Sequence, residues 1–184
     1  MSDKKRDAEV ITLGSGDLMY KEFTDTVPAY TEFNPTTDLL GRIQGGATIE
    51  YTAEWYEAKD DSGKVVKTII TDENATLKSG VLTWNGKTLT KLCATGRVTE
   101  ADGIRTVKIG GVDNYNGKNY VLCFHHTDKV DGDIWIVMKA VNQGGLSLSF
   151  AKDKETVIDA EFKALPQDDE GTLIQYIEEI ADNA

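Results

Sequence analysis

The chain has 184 residues, 40% of them hydrophobic, and a formal net charge of −11. This length supports one substantial core without a metal or disulfide, and the acidic balance argues against specific binding to duplex phosphates. No apolar run approaches the ~20 residues of a membrane span, and MSDKKRDAEV has no signal-peptide core, so we expect a cytoplasmic protein. In that compartment we expect the two cysteines, Cys93 and Cys123, to be reduced thiols.

The first quarter of the chain is predicted to hold a flexible arm, two short strands and a long loop. Residues 1–9 are polar and show no periodic spacing of apolar residues, so we expect a flexible N-terminal arm. Val10–Leu13 and Leu18–Phe23 have the composition of short strands around a Gly-Ser-Gly turn. The polar stretch 24–46, with two prolines and a Gly-Gly pair, is predicted to be a long loop, and loops of that length are often functional.

A regular alternation of apolar and polar residues from Thr48 to Glu57 predicts an amphipathic strand. One face carries Ile49, Tyr51, Ala53 and Trp55, and the other carries Glu50, Thr52, Glu54 and Tyr56. Because side chains alternate along a strand, we expect one dry face and one charged face. The turn Asp60–Gly63 and the Val- and Ile-rich stretch Lys64–Thr71 complete a predicted hairpin.

The rest of the chain predicts one helix and more strands. Leu89, Leu92 and Cys93 have helical spacing within Trp84–Thr95, and Gly96 is a plausible stop. Further strands are predicted at Arg97–Glu100, Arg105–Ile109, Tyr120–His125, Ile134–Val141, Leu146–Phe150 and Glu155–Ala164.

The acidic C-terminal segment 165–184 is ambiguous in period. Leu173, Tyr176, Ile177 and Ile180 have helical spacing, so we favour a short helix, with a closing strand as the alternative. No low-complexity linker or internal repeat divides the chain. We therefore predict a single, mainly β domain over residues 1–184, a β-sandwich or barrel with one flanking helix and long loops.

No group of residues in the sequence predicts catalysis, a cofactor or a metal centre. His125 and His126 are adjacent, so a regular strand points them to opposite faces. The aspartates around Gly132 lack the spacing of a calcium loop, and no Gly-x-Ser-x-Gly motif is present. We expect a protein that is not an enzyme, with its tryptophans in the core and at subunit interfaces.

Five segments together resemble the tail tube proteins, or major tail proteins, of tailed bacteriophages and related prophages. Their order and spacing carry the resemblance, since none of them carries chemistry. They are GSGDL (14–18), GRIQGGATIEYT (41–52), ITDENATLKSGVLTW (70–84), FAKDKETVIDAEFKALP (150–166) and DDEGTLIQY (168–176).

The resemblance implies a structural role without a cofactor. Family members have a β-sandwich or barrel with a flanking helix and a long loop or hairpin. Six copies form a ring, and the rings stack into a hollow tube that conducts double-stranded DNA without binding it specifically. The implied partners are copies of the chain itself, a tape-measure protein, a tail terminator and baseplate or tip proteins. The implied location is the virion tail, assembled in the cytoplasm of a bacterial host.

Two sets of residues are the candidate sites of such a tube. Period-2 carboxylates opposite an apolar face are the candidates for the lumen, where they would repel phosphates over ~8 Å at physiological salt: Glu50, Glu54, Asp159 and Glu161. The predicted hairpin tip, Asp60, Asp61, Ser62 and Gly63, is the candidate contact between subunits, together with the long loop 24–46.

Two other functions are consistent with the same sequence. A monomeric β-barrel would use its apolar face to line a cavity for a small molecule. An acidic DNA mimic would present carboxylates spaced like phosphates, although Lys59, Lys64, Lys67, Lys78 and Lys87 interrupt the acidic residues.

Overall fold

Ten β-strands and one α-helix form most of the regular structure in a computed structural model that describes Arg6 and residues 9–180. Two single 3-10 turns lie at Tyr30–Glu32 and Val112–Asn114. The helix, α1, is Gly86–Leu92. The strands are β1 Asp17–Glu22, β2 Leu39–Gly41, β3 Ile43–Lys59, β4 Val65–Val81, β5 Arg97–Ala101, β6 Ile104–Lys108, β7 Tyr120–His126, β8 Ile134–Asn142, β9 Ile158–Ala164 and β10 Gln175–Glu178.

The main sheet is antiparallel and strongly curved. Its strand order is β2-β1-β7-β8-β9-β4-β3, with β10 also beside β8, while β5 and β6 form a separate hairpin. β2 and β3 lie at opposite ends of this order, yet only Arg42 separates them in the chain. The two ends of the sheet must therefore come together, which rolls it into a barrel-like form. The prediction of a mainly β fold with a flanking helix is confirmed.

The main core fills the concave side of this rolled sheet. Its fully buried side chains come from strands throughout the order, including Leu18 of β1, Leu77 of β4, Leu122 of β7 and Phe162 of β9. Leu89 and Leu92 of α1 pack into the same cluster, while the helix also contacts the β5–β6 hairpin. The apolar alternation of β9 is buried as the sequence predicted.

A second, smaller core lies under the long loop. Phe33 of the loop packs with Met19, Val121, Cys123 and Val137. The predicted loop 24–46 is therefore too long at its C-terminal end, because β2 begins at Leu39 and β3 at Ile43. What remains of the loop covers the sheet of its own chain rather than projecting from it.

The C-terminal segment forms a strand, so the favoured helix was wrong. β9 pairs with β8 only at Ala140–Asn142, which leaves the first half of β8 free on that side. Gln175–Glu178 pairs with this free edge in antiparallel register. Backbone hydrogen bonding to an open edge thus outweighed a helical spacing over a short segment. Val10–Leu13 and Leu146–Phe150, also predicted as strands, are irregular.

Part of the predicted N-terminal arm 1–9 lies outside the described residues, as does the end of the segment 165–184. Arg6, which is described, is held against the body. Its backbone N–H donates to the carbonyl oxygen of Glu179 at 3.1 Å, and its Nε donates to the carbonyl oxygen of Gly132 at 3.0 Å. None of the helices in the described part of the chain has the length and apolar character to cross a bilayer.

Asn85 is expected to stabilise α1 by about 1 kcal/mol through its N-terminal cap. Its Oδ1 accepts hydrogen bonds from the backbone N–H groups of Lys87 at 2.8 Å and Thr88 at 3.3 Å. A seven-residue helix has little stability without such a cap and its packing. Asn85→Ala should lower the thermal midpoint by about 2–4 °C, while Asn85→Asp should retain it. Equal thermal midpoints for Asn85→Ala and Asn85→Asp would contradict the role of the cap.

Candidate functional site

The feature that stands out from the body is the outer part of the β3–β4 hairpin. The two strands pair from Ile43 and Val81 to Lys59 and Val65, but β9 supports β4 only from Thr76 to Val81. Beyond Thr76, no other strand in the described chain pairs with the hairpin. We call residues 51–75 the hairpin arm. It runs about nine residues past its support, on the order of 30 Å at 3.3 Å per residue.

The hairpin arm exposes large apolar side chains on both of its faces. Trp55 is 60% exposed, and it lies opposite Ile70, which is 45% exposed. On the other face Tyr56, 59% exposed, lies opposite Ile69. A two-stranded hairpin is marginally stable in water by itself, and contiguous apolar surface of this kind marks an interaction site. The arm is therefore our candidate interaction surface of the described chain.

This exposure corrects the prediction of a dry face along β3. Ile49 is partly buried and packs against the main core, but Tyr51, farther along the same face, is 52% exposed. The reason is that the outer half of the hairpin extends past β9 and beyond the core, so the core side chains that cover Ile49 do not reach it. Within that half the Tyr51 hydroxyl donates a hydrogen bond to Glu73 on the neighbouring strand.

The arm also has two open edges. In the described part of the chain, β3 is the last strand of the sheet along its whole length of 17 residues. The outer edge of β4 is unpaired, within the described chain, from Val65 to Ala75. Long exposed edges present rows of free N–H and C=O groups that can pair with another chain. Both the faces and the edges of the arm are thus available for contact.

The tip of the hairpin is a tight turn organised by Asp60, as the sequence predicted. The Asp60 carboxylate accepts hydrogen bonds from the backbone N–H groups of Ser62 and Lys64, both at 2.9 Å, and from the Ser62 hydroxyl at 2.6 Å. These bonds lower the pKa of Asp60. Gly63 has φ of 82°, a conformation that favours glycine. Asp61 takes no part in this network, so its carboxylate is the one that the tip presents outward.

Two of the four lumen candidates lie within 4 Å of one lysine, and a third is on the same side of β9. Lys78 lies opposite Glu161 in the register of β4 and β9. Its Nζ is 3.1 Å from a carboxylate oxygen of Glu50 and 3.8 Å from one of Glu161, and Glu50 in particular raises the pKa of Lys78. Asp159, two residues before Glu161, shares its side of β9. This lysine, which the lumen prediction did not include, partly neutralises the carboxylate face.

Glu54 is the fourth lumen candidate and lies apart from the others. It is on the hairpin arm, opposite Asp72 and next to a register shift at Trp55. Glu54 and Glu50 are four residues apart on one strand and point to the same side. The predicted carboxylates therefore share one exposed face, which continues from β9 across the base of the hairpin onto the arm.

His125 and Asp133, at the β7–β8 turn, form the arrangement that most resembles a catalytic acid–base pair. His125 Nε2 lies 2.8 Å from Asp133 Oδ2, and the imidazole stacks on Trp135 with ring centroids 4.9 Å apart. The other Asp133 oxygen accepts a hydrogen bond from the backbone N–H of Asp128 at 2.8 Å. Burial raises the pKa of Cys123 to about 12, so this nearby thiol is protonated at neutral pH. The contacts of His125 and Asp133 are those of side chains that stabilise a turn.

Among the described residues, no three His, Cys, Asp or Glu side chains are grouped as metal ligands would be. The surface carries clefts, of which two have volumes of about 570 Å³. No protein-family model matches this chain, and no curated protein is similar to it in sequence. The resemblance to tail tube proteins therefore stays a prediction.

Proposed function

We propose that this protein is a structural subunit that assembles with copies of itself through the hairpin arm. One observation carries the proposal: the arm projects from the sheet with exposed Trp55, Tyr56 and Ile70 and with both edges open. Burying such rings is the usual source of interface affinity. The exposed arm is a large apolar surface that a second copy of the chain can cover.

The size of the arm fits this role. A two-stranded ribbon of ~30 Å length and ~10 Å width offers roughly 300 Å² of projected area on each face. Two faces and two edges together approach the ~800 Å² that each partner contributes to a stable interface. An arm buried between neighbouring subunits would therefore supply most of the contact that assembly needs.

The contact is expected to be head-to-tail, because one subunit extends the arm and its neighbour receives it on a different surface. Such heterologous contacts either close into rings or continue into filaments. A ring of six that stacks into a DNA-conducting phage tail tube is the form suggested by the sequence resemblance. In that form the exposed face with Glu50, Glu54, Asp159 and Glu161 would line the bore and repel phosphates.

The two alternative functions are less favoured by the geometry. The concave side of the sheet is filled by side chains such as Leu77 and Phe162, which are 0% and 2% exposed. An acidic DNA mimic needs an uninterrupted run of carboxylates, whereas Lys78 lies between Glu50 and Glu161. The exposed rings of the arm have no role in either function.

A concentration series of the purified chain tests the proposal. We expect sedimentation velocity to show monomers at low concentration and discrete larger species as concentration rises. Negative-stain electron microscopy of the concentrated sample should show rings or short tubes of uniform width. Monomers alone at every concentration, or irregular aggregates without a repeating width, would rule out the proposed assembly.

A further inference from the structure

A cleft on the body differs from the rest of this acidic molecule. It has a volume of about 570 Å³ and lies between β1, the start of β7 and the last turn of α1. Three lysines and two carboxylates are among its lining residues, but the Lys21 ammonium lies on the opposite face of β1 from Tyr20, over the Phe33 ring. We call it the lysine–tyrosine cleft, after Tyr20, Lys21, Lys91, Lys118 and Tyr120.

Lys91 is the cation of this cleft that has no counter-charge among the described residues. Lys118 Nζ lies 2.7 Å from Glu22, and Lys21 Nζ lies 3.5 Å from Asp38. No described carboxylate lies within 4 Å of Lys91, whose Nζ instead sits 3.9 Å from the centroid of the Tyr20 ring. Burial lowers the pKa of Lys91. A partly desolvated ammonium gains from a carboxylate that enters the cleft.

The two tyrosines add hydrogen-bonding capacity beside this ammonium. The rings of Tyr20 and Tyr120 are 5.9 Å apart and tilted. Burial raises the pKa of both hydroxyls, so they remain protonated at neutral pH and can donate. The Tyr20 ring, which lies against the Lys91 ammonium, and the Tyr120 ring next to it form the apolar wall of the cleft.

The hairpin tip carries a carboxylate suited to this cleft. Asp60 is occupied in the turn by its bonds to Ser62 and Lys64, whereas Asp61 is exposed and makes no ion pair with any described residue. Every residue from Lys59 to Glu73 is exposed, so the tip does not fold back onto its own body. A carboxylate at the end of a long arm can reach a cleft on the surface of another molecule.

We propose that the lysine–tyrosine cleft receives Asp61 from the hairpin tip of a second copy, where it pairs with Lys91. This inference rests on the proposed self-assembly and names the surface that accepts the arm. The Lys91 ammonium and the Asp61 carboxylate are opposite in charge, and such a pair sets the register of an interface more than its affinity. The exposed rings supply the affinity, and the tip selects where the arm docks.

Charge reversal tests the pairing in the full-length chain. Lys91→Glu should weaken assembly by about tenfold or more, and Asp61→Lys should have a similar effect. The double variant, which restores opposite charges, should recover most of the assembly. Lys108→Glu is the matched control, because Lys108 is exposed on β6 outside the cleft, and it should assemble as the parent does. Failure of the double variant to recover assembly would contradict the pairing.

A zero-length carbodiimide provides a readout that does not depend on affinity. It joins an amine and a carboxylate in contact as an amide, with loss of water. Mass spectrometry of the assembled species should find Lys91 joined to Asp61 of another copy, and Asp61→Asn should remove that link. A link from Lys91 to a different carboxylate would show a different occupant and overturn the inference.

The failure of this inference is distinguishable from failure of the proposed function. A parent chain that never assembles overturns both. A parent chain that assembles, with Lys91→Glu assembling equally well and no Lys91–Asp61 link, overturns only the docking of the tip.

Discussion

Replacing Trp55 and Tyr56 together with threonine is expected to abolish assembly and leave the monomer folded. Both rings are largely exposed, at 60% and 59%, so their removal costs the isolated chain little. Threonine retains a high strand propensity, which preserves the hairpin itself. If each ring contributes about 2 kcal/mol to the interface, their loss weakens association by about 10³-fold. Sedimentation velocity over a concentration series measures this change, and circular dichroism reports the fold.

Val112→Thr is the control for loss of exposed apolar surface as such. Val112 is 90% exposed and lies in a 3-10 turn outside the arm. It should assemble at the same concentration as the parent chain. A Trp55→Thr/Tyr56→Thr double variant that assembled equally well would show that the arm is not the interface, and the exposed rings would then need another explanation.

The hairpin was predictable from sequence, whereas its exposure was not. Alternation from Thr48 to Glu57 and the turn at Asp60 determine which residues pair and which share a face. Whether a face is buried depends on what packs against it, and the hairpin here extends past β9 and the core, which no local pattern encodes. An apolar strand face that packs on a neighbouring copy has the same sequence pattern as one that packs on the core of its own chain. Trp55 lies on the predicted face of the strand, but its own chain leaves it 60% exposed.

The carboxylate face shows the same division between local and long-range information. Glu50 and Glu161 were predicted on exposed faces from their period, and both lie on one exposed side of the sheet. The ion pairs with Lys78 depend on the register of three strands that are far apart in the chain. The lysine–tyrosine cleft was missed for the same reason, since its walls come from β1, α1 and β7.

Segments with weak local preference were predicted least well. The helix at Gly86–Leu92 was found because the apolar spacing and the stop at Gly96 agree. The segment around Tyr176 and Ile177 has helical spacing over too few residues to decide, and the open edge of β8 determined its state. The end of the long loop was misplaced because β2 is only three residues long and leaves no period to detect.

Phe162→Ala is expected to destabilise the folded chain by about 3–5 kcal/mol. Phe162 is 2% exposed and packs in the main core, where its strand lies between β4 and β8. Truncation leaves a cavity that the surrounding strands fill only in part, which adds to the lost burial of the ring. At 2–4 °C per kcal/mol for a chain of this size, the thermal midpoint should fall by roughly 6–20 °C. Differential scanning calorimetry measures both the midpoint and the enthalpy.

Phe150→Ala removes the same atoms from a ring that is 76% exposed and that contacts Trp84 at its edge. It should cost less than about 1.5 kcal/mol, and equal losses in the two variants would contradict the assignment of Phe162 to the core. The core variant also bears on assembly, because β9 is the strand that holds the base of the hairpin through Thr76–Val81. Well below its own melting temperature, Phe162→Ala is therefore expected to assemble more weakly than Phe150→Ala, since a looser base no longer holds the arm in one direction.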